Sequence, residues 1–399
     1  MTPTVRLYYD DPLLLDFTAT VVAHGAFAGA PSVLLDRSAF YPESGGQMAD
    51  RGRLGGLPIA DVQVDDDGLV HHLLEGSALL DVGASVTGGV DRARRRVHMA
   101  LHTGQHMLSR ALTDLAFAAT VSSRLGETTC TIDVDRETLD ERLVAEAEAL
   151  VNAVVDDDAP IRAFFPTPAE LAALPLRRAP KVTENIRVIA IGDLDVSPCG
   201  GTHCTRTAQV GLLRITGIER YKGKARVTFS AGPRARRELW DEAGVLRDLG
   251  KAFTCGPRDV PTAVEKLRRE LGDAREALGH TRGRLADAAA TDLAAAAATD
   301  PDHRAIAVFD DTGVEILRRI AGRVAATPAA VAFLASRSDS GLAVMISRGP
   351  ASRFDCGAFL KRVAAAAGGR GGGRPEHAEG RLPADADWPA LVATALAAG

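Results

Sequence analysis

Residues 92–119 read RARRRVHMALHTGQHMLSRALTDLAFAA, and the apolar positions Met99, Leu101, Met107, Leu108 and Leu112 recur at helical spacing. A helix is expected there. The chain before it is written differently, in short apolar runs divided by turn signals: DFTATVVAH (16–24), SVLLDRSAFYP (32–42) and GLPIADVQVDDDGLVHHLLEG (56–76). Alternation over Ala60–Val64 and the β-branched pair Val21–Val22 predict strands, hence a small antiparallel β-barrel or sandwich over residues 1–90. After the helix, Asp135 reads as the N-cap of a second one, with Leu139, Leu143, Ala147, Leu150 and Val154 on one face. NIRVIAIGD (185–193) reads as a buried strand, and 210–232 as two or three more, so residues 91–234 are expected to form an α+β domain. Residues 235–300, rich in Arg, Glu, Leu and Ala, predict a helical connector, although Gly272, Gly279 and Gly283 lower helix propensity. Strand and helix patterns alternate over 301–399, giving a small α/β domain with a low-complexity loop, GGRGGGRPEH (368–377). The fold class expected for the whole chain is α+β.

Composition narrows the function classes. With 47 Lys and Arg against 52 Asp and Glu over 399 residues, the net charge is −5, so any contact with nucleic acid must come from local patches. Hydrophobic residues at 46% and charged ones at 25% exclude a disordered or collagen-like chain. Five cysteines without disulfide-like spacing point to a reducing compartment, read as the cytoplasm. Asp10, Asp11 and Asp16 interrupt the early apolar residues, so neither a signal peptide nor a membrane helix is expected.

Within the predicted helix, His102 and His106 stand four residues apart, which puts two imidazoles on one face at the spacing of a metal-ligand pair. Two solvated histidines on a polar face are the plainer alternative. His98 extends the stripe by one turn as a rival ligand or supporting partner. No Glu follows the first His, which argues against an HExxH protease. The second motif is SPCGGTHC (197–204), where Pro198 and Gly200–Gly201 favour a tight loop carrying Cys199 and His203. The two pairs together supply three nitrogens and one sulfur, a set that suits zinc; the alternative is a buried Cys beside a solvated His. Cys204 is a second possible thiol, while Cys130, Cys255 and Cys356 read as small core residues. A third motif, FYPESGGQMADRG (40–52), offers backbone amides at Gly45 and Gly46 beside the donor and acceptor of Gln47, or else a hairpin turn. Arg214, Arg220, Lys222, Lys224, Arg226, Arg234, Arg236 and Arg237 form a basic run that strands could gather into a phosphate-binding face.

FYPESGGQMADRG, HTGQHMLS (102–109), TVSSRLGETTCTIDV (120–134) and SPCGGTHC, in that order over about residues 5–232, resemble the alanyl-tRNA editing family. Members are free-standing relatives of the editing domain of alanyl-tRNA synthetase. The resemblance implies one zinc ion held by His102, His106, Cys199 and His203, and an aminoacyl pocket bordered by Gly45, Gly46 and Gln47. The implied activity is hydrolysis of seryl esters of alanine tRNA, with glycyl esters as the second candidate substrate, in the cytoplasm. Gln47 and Thr202 are the candidate catalytic residues, with Thr202 placed to recognise a serine hydroxyl; Gly45, Gly46, Gly200 and Gly201 are the candidate substrate-binding backbone. Residues 301–385 are similar to the domain that ends alanyl-tRNA synthetases, where a glycine-rich loop binds RNA. Lys222, Lys224, Arg226, Gly371, Gly372 and Gly373 are therefore candidate tRNA contacts. The chain departs from synthetase editing domains at Val121–Arg124, where those often carry a Gln, and leaves little room for an aminoacylation domain. A homodimer through the connector or the C-terminal domain is a further expectation. Two readings compete: a non-catalytic tRNA-binding module with structural zinc, and a zinc hydrolase of a small non-RNA ester.

Overall fold

The computed structural model describes residues 2–76, 79–180 and 182–398, and the chain divides into two compact units, Met1–Asp248 and Leu249–Gly399. Its class is mixed α+β, with several sheets and eight α-helices among the described residues.

The first unit begins with β1 (Val5–Arg6), β2 (Asp16–Phe27), β3 (Ala30–Leu35), β4 (Arg37–Ser38), β5 (Gly52–Leu54), β6 (Leu57–Val64), β7 (Val70–Leu74) and β8 (Ser85–Val90). Six of these strands hydrogen-bond in a closed ring, in the order β2-β3-β7-β6-β5-β8, and all pair antiparallel. Period-two alternation makes the ring hollow out a core. In β2, Phe17, Ala19 and Val21 are buried between exposed neighbours, and they meet Val33, Leu35, Leu54, Ile59 and Val62.

The same unit continues with α1 (Arg92–Ala116), β9 (Thr120–Leu125), β10 (Cys130–Val134), α2 (Glu141–Asp156), β11 (Ile161–Phe164), α3 (Pro168–Ala173), β12 (Val188–Ile191), β13 (Asp195–Pro198), β14 (Leu213–Tyr221), β15 (Lys224–Ala231) and α4 (Gly232–Phe253). Two antiparallel sheets form, β14-β15-β10-β9 and β11-β12-β13. The carboxylate of Asp91 starts α1 by accepting the amides of Ala93 and Arg94, and Phe117, at φ 50°, ends it. One side chain fastens α1 to the ring of strands: Arg95, 2% exposed, donates to both oxygens of the fully buried Asp50 and to the carbonyls of Pro12 and Ala39. The second helix is capped by Asp140, not by the expected Asp135. Asp135 is occupied elsewhere, accepting the amide of Ala119.

The second unit contains α5 (Val260–Thr299), β16 (Arg304–Asp310), α6 (Val314–Val324), β17 (Val331–Ser338), β18 (Gly341–Arg348), α7 (Cys356–Ala366), β19 (Arg370–Arg374), β20 (His377–Leu382) and α8 (Trp388–Ala397). A five-stranded sheet runs β16-β17-β18-β20-β19, parallel only between β16 and β17. The expected glycine-rich loop is in fact a strand: Gly371, Gly372 and Gly373 lie on β19, paired with β20. Close approach explains the composition. A Cβ on Gly373 would come within 2.2 Å of the His377 carbonyl oxygen, and one on Gly357 of α7 within 2.5 Å of the Gly373 carbonyl. Gly272, Gly279 and Gly283 all lie inside α5, which runs unbroken for 40 residues. Cys130 and Cys356 are fully buried, whereas Cys255, expected in a core, is partly exposed. No described helix is long and apolar enough to cross a membrane.

Candidate metal centre

Four side chains converge in the first unit. His102 and His106 project from one face of α1, and Cys199 and His203 from the loop that follows β13. Their ligand atoms all lie within 4.8 Å of one another, and the group could hold a metal ion. Cys199 Sγ stands 3.4 Å from His102 Nε2 and 3.3 Å from His203 Nε2. Zinc bonds of about 2.0 to 2.3 Å imply edges of roughly 3.3 to 3.6 Å between tetrahedral ligand atoms, so these spacings fit the ion. A second observation agrees: His106 is fully buried, yet neither ring nitrogen makes a hydrogen bond, and while Nδ1 has Asp195 nearby, Nε2 has only the other members of the group before it.

The far nitrogen of every imidazole faces a polar atom. His102 Nδ1 donates to Gln47 Oε1 at 2.7 Å, His203 Nδ1 donates to Thr103 Oγ1 at 3.2 Å, and His106 Nδ1 lies 3.3 Å from Asp195 Oδ2. This outer layer turns each Nε2 lone pair toward the common centre. Asp195 is itself held by Arg177 Nε at 2.8 Å and by the Ser197 hydroxyl at 2.9 Å. Burial opposes its ionisation, but His106 and Arg177 outweigh that and keep it well below the usual carboxylate range. At Cys199, burial raises the thiol, yet His102, His203 and His106 hold it well below its ordinary value, a shift toward the thiolate form that ligates metals. Cys204, the alternative thiol, points into the core, where burial pushes it up to about 12. His98 is not part of the group; burial, ahead of the neighbouring Arg94 charge, lowers it to about 4.

The remaining candidate residues divide into two layers. Gly45, Gly46 and Gly200 are exposed, whereas Gln47, Gly201 and Thr202 are buried behind His102. Gln47 spends its whole amide there, accepting from His102 and from the Thr202 amide at 3.1 Å while donating to Thr202 Oγ1 at 2.8 Å. Gly201 is the packing constraint: a Cβ would fall 2.2 Å from His102 Cε1 and 2.9 Å from Gln47 Oε1. Gln47→Ala is expected to weaken metal binding roughly 10- to 100-fold, with Gln47→Glu, which keeps an acceptor for His102, recovering part of the loss. Competition against a metal chelator checks both.

Elsewhere the structure separates what the sequence grouped. Lys222 is exposed in the turn between β14 and β15, and Lys224 follows on β15, but Arg226 is committed to Asp133 at 2.6 and 2.9 Å. Arg214 and Arg220 are likewise paired, with Glu242 and Glu137. Gly371, Gly372 and Gly373 belong to the other unit. Sequence reasoning missed Asp195, Thr103, Arg177 and Arg187. Asp195 and Ser197 share one face of a short strand, an alternation that could have marked the first of them.

The alanyl-tRNA editing protein AlaX-L of Pyrococcus horikoshii is 32% identical over 275 residues, covering 67% of this chain and 67% of that protein. The chain belongs to the alanyl-tRNA editing family. The alanine–tRNA ligase of Archaeoglobus fulgidus is 31% identical over 399 residues, 95% of this chain, but the chain spans only 42% of the length of that ligase. Family models match in three places: tRNA synthetases class II (A) over 16–94, the threonyl and alanyl tRNA synthetase second additional domain over 186–228, and the DHHA1 domain over 302–398. Among solved structures, the C-Ala domain from Aquifex aeolicus alanyl-tRNA synthetase matches at 26% identity and a TM-score of 0.22, over 23% of this chain and 85% of that domain.

Proposed function

We propose that this editing-family chain is a trans-acting hydrolase that removes serine, and to a lesser extent glycine, from mischarged alanine tRNA, using zinc. The observation that carries the reading is the convergence of three buried imidazoles on the partly exposed Cys199 sulfur, with the exposed Gly45, Gly46 and Gly200 in the same unit. His102, His106, Cys199 and His203 would hold the ion, which when bound supplies Lewis-acid polarisation of an ester carbonyl or a more acidic water. The chain's own groups do the rest. Gln47, Thr103 and Asp195 fix the imidazole orientations. Gly45, Gly46 and Gly200 present backbone without a side chain in front, so an aminoacyl ester can approach closely and an oxyanion can meet amide N–H groups. We assign Gln47 and Thr202 to positioning His102 and the pocket wall, since they spend hydrogen bonds on one another.

Serine differs from alanine by one hydroxyl, and a pocket that pairs with that hydroxyl leaves a polar group unmatched when alanine is bound. Deacylation of seryl-tRNA(Ala) by the full chain, with alanyl-tRNA(Ala) alongside, tests the reading: loss of serine alone supports it, and equal or absent loss of both removes it. We assign the RNA body to Lys222 and Lys224 in the first unit and to the glycine strand in the second. Replacing both lysines with Ala should flatten the slope of log affinity against log salt by about 0.7 to 0.9 per lysine, as measured by filter binding. The functional division that goes with this reading is a β-barrel over 1–90, a zinc-binding editing domain over 91–234, a helical connector over 235–300 and an RNA-binding domain over 301–399. The exposed leucines 267, 271, 278 and 285 on α5 fit the homodimer expectation. Free thiols suit a cytoplasmic setting. A second reading, a tRNA-binding module with purely structural zinc, is favoured by one feature: four protein ligands complete a tetrahedral shell.

A further inference from the structure

Beside the metal loop lies a cationic, aromatic face that the site described above does not use. Tyr9 packs edge-to-face on Phe165, with ring centroids 5.9 Å apart. Phe165 is 50% exposed and belongs to neither hydrophobic core of the unit, so one ring face is open to a ligand. Two guanidinium groups flank Tyr9, Arg6 at 5.6 Å and Arg187 at 5.0 Å from its ring centre. Arg187 is 5% exposed and donates to the carbonyls of Gly201 at 2.8 Å and Cys199 at 3.2 Å, but its Nε has no partner. Arg178 leans on the Pro198 carbonyl at 3.2 Å. Among the described residues no carboxylate pairs with Arg6, Arg178 or Arg187, whereas Arg94, Arg95 and Arg177 each have one. The face abuts the metal loop: a Cβ on Gly200 would lie 3.4 Å from the Tyr9 hydroxyl.

We infer that this face receives the single-stranded 3′ end of the RNA, with a nucleobase stacked on Phe165 and the phosphodiester oxygens answering Arg6 and Arg178, while the buried Arg187 holds the Cys199–Gly201 backbone beneath them. An exposed ring supplies a stacking surface indifferent to base identity, and unpaired guanidinium groups supply charge complementary to a backbone phosphate. Adjacency to Gly200 then delivers the terminal ester to the His/Cys group. The inference rests on the hydrolase reading for its substrate, but not for its test.

The test uses the full chain and two RNA hairpins that mimic an acceptor stem, one ending in single-stranded CCA and one with CCA removed. By fluorescence anisotropy the unmodified protein should bind the CCA hairpin roughly ten- to a hundredfold more tightly than the truncated one. Phe165→Ala should bind both equally at the weaker level, and Phe165→Trp should regain the preference. A Phe165→Ala chain that keeps the preference, or an unmodified chain that shows none, overturns the inference. Seryl-tRNA deacylation measured alongside separates the two ideas. CCA-dependent binding that needs Phe165, without deacylation, keeps the stacking face and removes the hydrolase. Deacylation with an unchanged KM in Phe165→Ala does the reverse.

Discussion

His106→Ala is expected to cost the protein its metal and its deacylation activity while leaving it folded. Structural zinc sites hold the ion with about 10 to 16 kcal/mol, so one ligand of four is worth roughly 3 kcal/mol, more than a hundredfold in affinity. His106 is the informative ligand to remove because its neighbour is not stranded. Asp195 keeps Arg177 and Ser197 when the imidazole goes, so no bare buried carboxylate confuses the result. Metal content by atomic emission, circular dichroism and seryl-tRNA(Ala) turnover together read the outcome. A folded, metal-free and inactive chain supports catalysis or substrate placement by the centre, whereas global unfolding supports the purely structural role. A folded chain with undiminished turnover would sink the zinc hydrolase reading.

The largest stability effect is expected at Asp50. Its carboxylate is fully buried and meets Arg95 through both oxygens, the shortest contact being 2.5 Å. Asp50→Ala would leave a buried guanidinium with only the Pro12 and Ala39 carbonyls, and breaking a buried pair in this way costs about 3 to 5 kcal/mol. For a unit of this size that is a fall in Tm of roughly 6 to 20 °C by thermal denaturation. The double replacement Asp50→Leu with Arg95→Met should recover most of it, because removing both charges leaves neither unpaired. A loss below about 1 kcal/mol in the single variant would mean that water reaches the guanidinium and that the pair does not fasten α1.

Local signals in the sequence were sufficient wherever the physics is local. The i, i+4 spacing of His102 and His106 follows from helix geometry alone, and the strand runs 16–24 and 56–76 show their alternation directly. Competition between local signals was harder to see. Asp135 and Asp140 are both competent caps, and only the tertiary bond from Ala119 to Asp135 decides between them. Glycine-rich sequence was read as loop because glycine lowers strand propensity, yet contact between α7 and β19 requires glycine. Pairings across long stretches of chain left no trace at all. Nothing around Asp50 points to Arg95, and nothing around Tyr9 points to Phe165, since each contact exists only after distant segments have met.

Gln47 carries this dependence into the order of folding. Its amide reaches His102 and Thr202, 55 and 155 positions further along the chain. A growing polypeptide that has released only its first strands and α1 holds two of the four ligands and none of the loop that closes the group. Contacts of such separation form late, after the entropy of closing long loops has been met. The four-residue group is therefore a late product of assembly rather than its nucleus, and a metal ion held by all four residues would have to wait until residue 203 has left the ribosome.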